Sequence, residues 1–360
     1  MNEQDLKNFW KKKTVVSYFL SVLVFFIHSS SYGQYPDGGT LISTVNDKLG
    51  FFFQESITRF AVPLFFILAG IAFFRDYDNS KYFSKLKSRL HTLVIPYLVW
   101  NTLWMLFNIL CSYTFISSFF VGREIFELTL PNILEGIFYY GCNLPFWFLL
   151  DLILFVIASP LINLVIRNKY VGFGVTFALA VLMIFGIGLP HIPFKFQDPI
   201  VYYLLGGILG KHYFPYVLKR SSRLTQILSG CFLVIVITLK NLFPDNDYFG
   251  KPFVKTLVFI LCSFAVWFLF DAFIDKIKNR PWYSRSFFVF AMNVNVSAIF
   301  TKLILFILPR KEIFATLNFV LTVVLTLVCI NVFCYVIERY IPWLWYILCG
   351  KKPKKKSVKA

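Results

Sequence analysis

Ten apolar segments alternate with short polar connections along the whole chain, and about 20 mostly apolar residues are what an α-helix needs to cross a bilayer. The segments centre near Leu23, Phe66, Leu106, Phe155, Val181, Leu205, Val234, Phe264, Ile299 and Leu325. The one around Leu205, YYLLGGILG, is short and rich in glycine. Backbone groups in lipid must be satisfied within their own segment, which leaves the helix as the economical solution. The pattern therefore predicts an all-α polytopic integral membrane protein with about ten transmembrane helices. Composition agrees: 58% of the 360 residues are hydrophobic and only 15% charged, where soluble domains carry about a quarter charged.

Charge gives the orientation. If the N-terminus is cytoplasmic, the inner connections hold four Lys and Arg before Thr14, five from Arg75 to Arg89, two at Arg167 and Lys169, four from Lys211 to Arg223, four from Lys276 to Arg285 and seven from Arg339 onward. That leaves ten of the 36 basic residues elsewhere. Every inner connection then obeys the positive-inside rule, and both termini are expected in the cytoplasm. The net charge of +18 is thereby explained as topology. No basic stripe with interleaved aromatics is present, so no nucleic-acid partner is expected.

A single transmembrane domain is expected over residues 1–350, followed by a basic cytoplasmic tail over 351–360. The tail's KKPKKK run is suited to anionic membrane lipids, each cation contributing about 1 kcal/mol near such a surface. The longest connections, Ser31 to Ser56 and Ser117 to Asn143, read as outer loops. The first apolar run follows Lys11, Lys12 and Lys13 as a signal peptide would, but no small-x-small site closes it, so it reads as a retained first span. Seven cysteines, an odd number lying mostly in apolar runs, support neither a disulfide framework nor a metal site. Asn295, Val296 and Ser297 form a glycosylation tripeptide inside an apolar run, out of reach of modification.

Ionisable residues inside membrane segments are costly and are functional candidates by default. His28 ends the first apolar run in VFFIH. Arg59 opens the second in RFAVPLFFILAG, Asp151 sits early in the fourth in FWFLLDLI, and Lys302 lies within the ninth. Arg89 and His91 stand at the inner mouth of the third. Arg59 and Lys302 have stems long enough to carry their charges to a headgroup, and His28 would also suit an interfacial role. Sparse intramembrane charges with a Gly-interrupted helix also fit a secondary transporter or flippase, although no internal repeat is evident.

Four blocks in order carry a further resemblance: VFFIH ending at His28, Arg59 to Gly70, KLKSRLHTLVIPYLVW from Lys85 to Trp100, and NLPFWFLLDLI from Asn143 to Ile153. With GGILGK at Gly206 to Lys211 and the ten-segment layout, the chain resembles acyltransferase family 3, integral membrane proteins that O-acylate sugars and some other acceptors. The sequence departs from the family pattern at four places. Ser17 stands where relatives commonly carry an arginine eleven positions before the histidine. Thr92 and Leu150 replace two further arginines, and Asn293, in FVFAMN, replaces a histidine.

The resemblance implies an O-acyltransferase of the cell membrane, with acetyl-CoA as donor, no metal, and a cell-surface or lipid-linked glycan as acceptor. An alcohol is a poor nucleophile at neutral pH, and imidazole, with an ordinary pKa of about 6.5, is suited to take its proton. His28 is thus expected as general base, or as covalent acyl carrier. Lys85, Lys87 and Arg89 are expected to meet the donor's phosphates at the inner mouth. Arg59 would stabilise the oxyanion or hold the acceptor, and Trp147 and Asp151 would line the acceptor side. An inactive relative is the remaining alternative, because the missing arginines thin out the cationic partners.

Overall fold

The computed structural model describes residues 3–29, 32–35, 38–114, 125–185, 197–243 and 252–351. The basic run from 352 onward, where the lipid-binding expectation falls, lies outside the described residues. Among the described residues every regular element is helical: α1 (Glu3–His28), α2 (Leu41–Phe51), α3 (Ala61–Phe74), α4 (Tyr82–Arg89), α5 (Ile95–Tyr113), α6 (Leu130–Phe138), α7 (Trp147–Ile157), α8 (Ser159–Ile166), α9 (Lys169–Ile184), α10 (Gln197–His212), α11 (Phe214–Leu218), α12 (Arg223–Leu242), α13 (Pro252–Leu269), α14 (Ser286–Ile307), α15 (Ala315–Tyr340) and α16 (Pro342–Cys349).

Seven helical stretches are long and apolar enough to cross a membrane, and α7 with α8 make an eighth if that broken pair counts as one span. The 16-residue α9 and α10 occupy the two remaining apolar segments. The protein is an all-α polytopic membrane protein. Its fourth apolar segment is not one straight helix. It breaks at Ala158, with Pro160 in the first turn of α8, because proline lacks the N–H that a continuing helix would need there.

The two connections read as outer loops are partly helical. Thr40 caps α2 by accepting from Ser43 N at 3.2 Å, and a π turn over Phe52–Ser56 leads toward α3, so the Leu41–Phe74 stretch runs for 34 residues. Arg59 therefore lies in a turn partway along the second span and does not open it. In the other connection Thr129 caps α6 with the aid of Pro131. Lys302 is half-buried near the end of α14.

Chain contacts divide the protein into two compact units. Unit 1 comprises residues 1–28, 39–82 and 157–286, and unit 2 comprises 29–38, 83–156 and 287–360. In unit 1, α10 packs tightly along α3. A Cβ on Gly206 would lie 2.2 Å from Ile67 O, and one on Gly210 would lie 2.6 Å from Ile71 O. From the other side, a Cβ on Gly70 would lie 2.4 Å from Tyr203 O. The GGILG run thus builds a small-residue helix contact of the kind that lets backbones approach in lipid.

The basic end of α10 then ties down its neighbours. Lys211 Nζ donates to Asn163 Oδ1 at 2.6 Å, and Asn163 Nδ2 donates to Asn79 Oδ1 at 2.9 Å. Farther along unit 1, Lys12 pairs with Asp271 beneath the Trp267 ring.

In unit 2, α16 closes against the π turn Leu90–Val94 and α5. Trp100 Nε1 donates to Leu348 O at 3.0 Å. Gly350 ends α16 with φ +65°, and a Cβ there would sit 2.2 Å from His91 O, so only glycine meets both the left-handed backbone and the close approach.

Candidate active site

His28 is the last residue of α1 and is half-buried. The end of α1 packs on the π turn Phe52–Ser56, with the Phe26 and Phe53 rings 5.8 Å apart. The same turn also meets α12. Three segments of unit 1 therefore converge where α1 ends: α1 with His28, the turn with Glu55 and Arg59, and the last turns of α12 with Lys240.

Arg59 is not a lone cation. Its guanidinium makes a two-point pair with the Glu55 carboxylate one helical turn earlier, Nε lying 2.6 Å from Oε2 and Nη2 meeting Oε1. Lys240 Nζ donates to Glu55 O at 2.7 Å and stands 3.8 Å from its carboxylate. Sequence reasoning missed Glu55 and Lys240. The Glu55–Arg59 spacing of four was a readable signal for an ion pair, whereas Lys240 fell among the ten basic residues outside the inner connections, with nothing in its own segment to mark a partner.

The acceptor-side candidates fall in unit 2. Trp147 opens α7 half-buried, and Asp151 lies one turn further with only 1% of its surface exposed. Asp151 is thus enclosed by protein. The segment before α7 is held against α14 by amides and rings. Asn143 Nδ2 reaches Ala291 O at 3.3 Å, Asn295 Nδ2 reaches Cys142 O at 3.4 Å, and Phe146 stacks on Phe290 at 5.8 Å. The Asn295 amide is therefore buried, as the apolar setting of its tripeptide suggested.

Tyr140, in the connection before α7, has its phenol pushed up by burial and next by the Asp151 charge. Asn101 on α5 donates to Ile137 O at 3.3 Å and Tyr139 O at 2.8 Å, which fixes that same connection.

The donor-side candidates also lie in unit 2. Lys85 and Arg89 are four apart on α4 and share a helix face, both half-buried. Lys87 is exposed and projects from the opposite side. The structure therefore brings two of the three cations together and sets the third apart. Thr92, at one of the missing-arginine positions, turns its hydroxyl to Ser88 O at 3.1 Å, and its Cα lies beneath Gly350. Ser17 O accepts the Ser21 hydroxyl at 2.9 Å. Asn293, at the histidine's position, is fully buried on α14, and neither amide atom has a hydrogen-bond partner among the described residues.

A multi-pass helical bundle with an imidazole and paired cations among its spans defines the class: a membrane protein with chemistry-bearing groups inside its apolar segments. The sequence profile of acyltransferase family 3, described as an acyltransferase domain, matches residues 18–339. The chain belongs to that family, and it is a membrane acyltransferase. The matched span contains His28, Arg59, Lys85, Lys87, Arg89, Trp147 and Asp151, while Ser17 falls one residue before it. Neither the curated proteins nor the solved structures gave a match.

Proposed function

We propose that this acyltransferase moves an acetyl group from acetyl-CoA to a hydroxyl of a cell-surface or lipid-linked glycan, with His28 as the base. The observation that carries the reading is the position of His28, half-buried at the end of α1 against the turn that leads to Arg59. The imidazole takes the acceptor's hydroxyl proton as the oxygen attacks the thioester carbonyl. Negative charge then grows on the carbonyl oxygen, and Arg59 is the cation on the adjoining turn suited to meet it. Collapse of the adduct expels the thiolate of coenzyme A, and the proton held by His28 returns to a leaving or solvent group. In a covalent route the imidazole nitrogen of the same residue first displaces the thiolate of coenzyme A to form an acyl-histidine, and the acceptor hydroxyl then displaces the imidazole, giving up its proton as the ester forms.

The donor is a substrate whose phosphates need cations, and the half-buried face of Lys85 and Arg89 fits that need, with Lys87 contributing at longer range. Trp147 and Asp151 serve the acceptor, since aromatic faces and carboxylates suit sugar hydroxyls. Both termini are cytoplasmic in this reading, which the distribution of Lys and Arg supports. The protein then resides in the cell membrane with its donor inside and its acceptor outside. Labelled acetyl-CoA supplied to membranes making the parent protein or His28→Ala, followed by recovery of envelope glycans, tests the proposal.

A further inference from the structure

The interruption between α2 and α3 is left unexplained by acyl transfer alone. Ile57 N donates back to Phe52 O at 3.2 Å, and Ala61 N turns onto Thr58 O at 2.9 Å. The regular ladder is therefore suspended over these residues, partway along the 34-residue helical stretch Leu41–Phe74. Irregular backbone at membrane depth is tolerated where it is buried in protein or lines a wet cavity, and interrupted spans recur where membrane proteins bind polar substrates.

The charges around the interruption do not balance. Glu55 is the carboxylate to which Arg59 and Lys240 both turn. Lys255, one turn into α13, is exposed and close enough for its charge to act on Glu55 and Lys240. Among the described residues, three cations against one carboxylate leave a formal charge of +2. The Arg59 side chain is 41% exposed and the Lys240 side chain 20% exposed, so the cluster is open to an approaching group. A structural clamp for Glu55 O needs one neutral donor, and an amide would serve. Two ammonium groups beside the Glu55–Arg59 pair suit a phosphate oxyanion as point charges.

We propose that Lys240 and Lys255, beside the Glu55–Arg59 pair, form a binding site for a phosphate group. Resting on the acyl-transfer reading, the inference makes the acceptor a phosphate-bearing molecule, such as a lipid-linked sugar, held by its phosphate while its hydroxyl faces His28. The α1 end that carries His28 packs on the same Phe52–Ser56 turn, which keeps anchor and base on neighbouring elements. The other source of the same chemistry is the headgroup of a bulk phospholipid.

The test is direct binding of a radiolabelled short-chain polyprenyl phosphate to purified full-length protein in phosphatidylcholine nanodiscs. Neutral polyprenol and excess phosphatidylglycerol serve as comparisons. Lys240→Gln removes the charge but keeps a donor for Glu55 O, and Lys255→Gln alters an exposed side chain, so one of the pair tests the site even if the other fails to fold. The expected result is a loss of at least tenfold in phosphate binding for the double variant and a smaller loss for each single one. Neutral polyprenol should bind neither parent nor variant through this site.

Displacement by phosphatidylglycerol would assign the site to bulk headgroups and overturn the acceptor assignment, and its absence would uphold that assignment. Equal binding of polyprenyl phosphate by parent and variants would overturn the site itself. His28→Ala should bind polyprenyl phosphate as the parent does, so this outcome is read apart from any loss of acyl transfer.

Discussion

The Lys12 ammonium lies 2.7 Å from the Asp271 carboxylate, with each side chain 6% exposed. Asp271 also accepts from Ser221 N at 3.1 Å and Ser221 Oγ at 2.8 Å, and Lys12 sits 3.9 Å from the centre of the Trp267 ring. Removing one partner of a buried pair strands the other, which costs about 3–5 kcal/mol. Lys12→Met should therefore lower the melting temperature of the detergent-solubilised protein sharply. Lys12→Met combined with Asp271→Leu should recover most of the loss, because no buried charge remains. A double variant no more stable than the single would contradict a charge-burial origin.

Gly206 offers a steric test of the bundle. A methyl group there would overlap Ile67 O, whereas one on Gly174 meets nothing within 4 Å. Overpacking a tight contact costs about 1–3 kcal/mol. Gly206→Ala should melt earlier by an amount in that range and Gly206→Leu should not accumulate, while Gly174→Ala should match the parent in fluorescence-detected size-exclusion after a heat step.

Tyr140 reports on Asp151. Burial is the larger cause of its raised phenol and the Asp151 charge adds to it. A nearby negative charge opposes formation of phenolate, so Asp151→Asn should move the Tyr140 titration toward lower pH without bringing it to the free value. Selective ¹³C-tyrosine NMR, with Tyr140→Phe for assignment, measures this. A titration unchanged by Asp151→Asn would show that the two groups do not share a local field.

Orientation is open to chemical labelling. Cys231 is the one exposed cysteine of the seven, and in a Cys231→Ser background a new thiol at Asp47 or at Lys351 reports which side it faces. Asp47→Cys should react with an impermeant maleimide applied to intact cells, and Lys351→Cys should react only after the membrane is opened. The reverse pattern would invert the topology and with it the assignment of donor and acceptor sides.

Much of this architecture was legible because the membrane imposes a simple code. Ten apolar segments correspond to α1, the α2–α3 stretch, the α4–α5 stretch, the α7–α8 pair, α9, α10, α12, α13, α14 and α15. What escaped has physical reasons. The LISTVNDKLGF sequence of α2 mixes polar and apolar residues, so hydropathy passes over it although Thr40 caps it. The interruption near Arg59 is followed by Pro63 in the first turn of α3, which has no N–H for Arg59 O, a signal that the segment count also passed over. Pro160, which marks the break after α7, was a readable residue signal that counting apolar segments passed over.

At the site, His28, Arg59 and Asp151 stood out because charge in hydrocarbon is rare. The partners of Arg59 divide by distance: Glu55 is four residues away, while Lys240 comes from a helix 185 positions from Glu55, and no local pattern announces such a pairing. The same holds for Lys12 and Asp271, 259 apart in sequence. The uneven placing of Lys85, Lys87 and Arg89 follows from helical period, since alternate residues on a helix face away from each other.

The central claim is that His28 performs proton transfer in acyl transfer, and general-base assistance is typically worth about 10²–10⁴ in rate. The decisive measurement is label transfer from radiolabelled acetyl-CoA to envelope glycans in membranes carrying parent or His28→Ala protein at matched abundance. A fall of at least about a hundredfold in His28→Ala is the result expected. Equal transfer by the two proteins would contradict the role of His28, and no transfer by either would contradict the acetyl-CoA-to-glycan reaction itself.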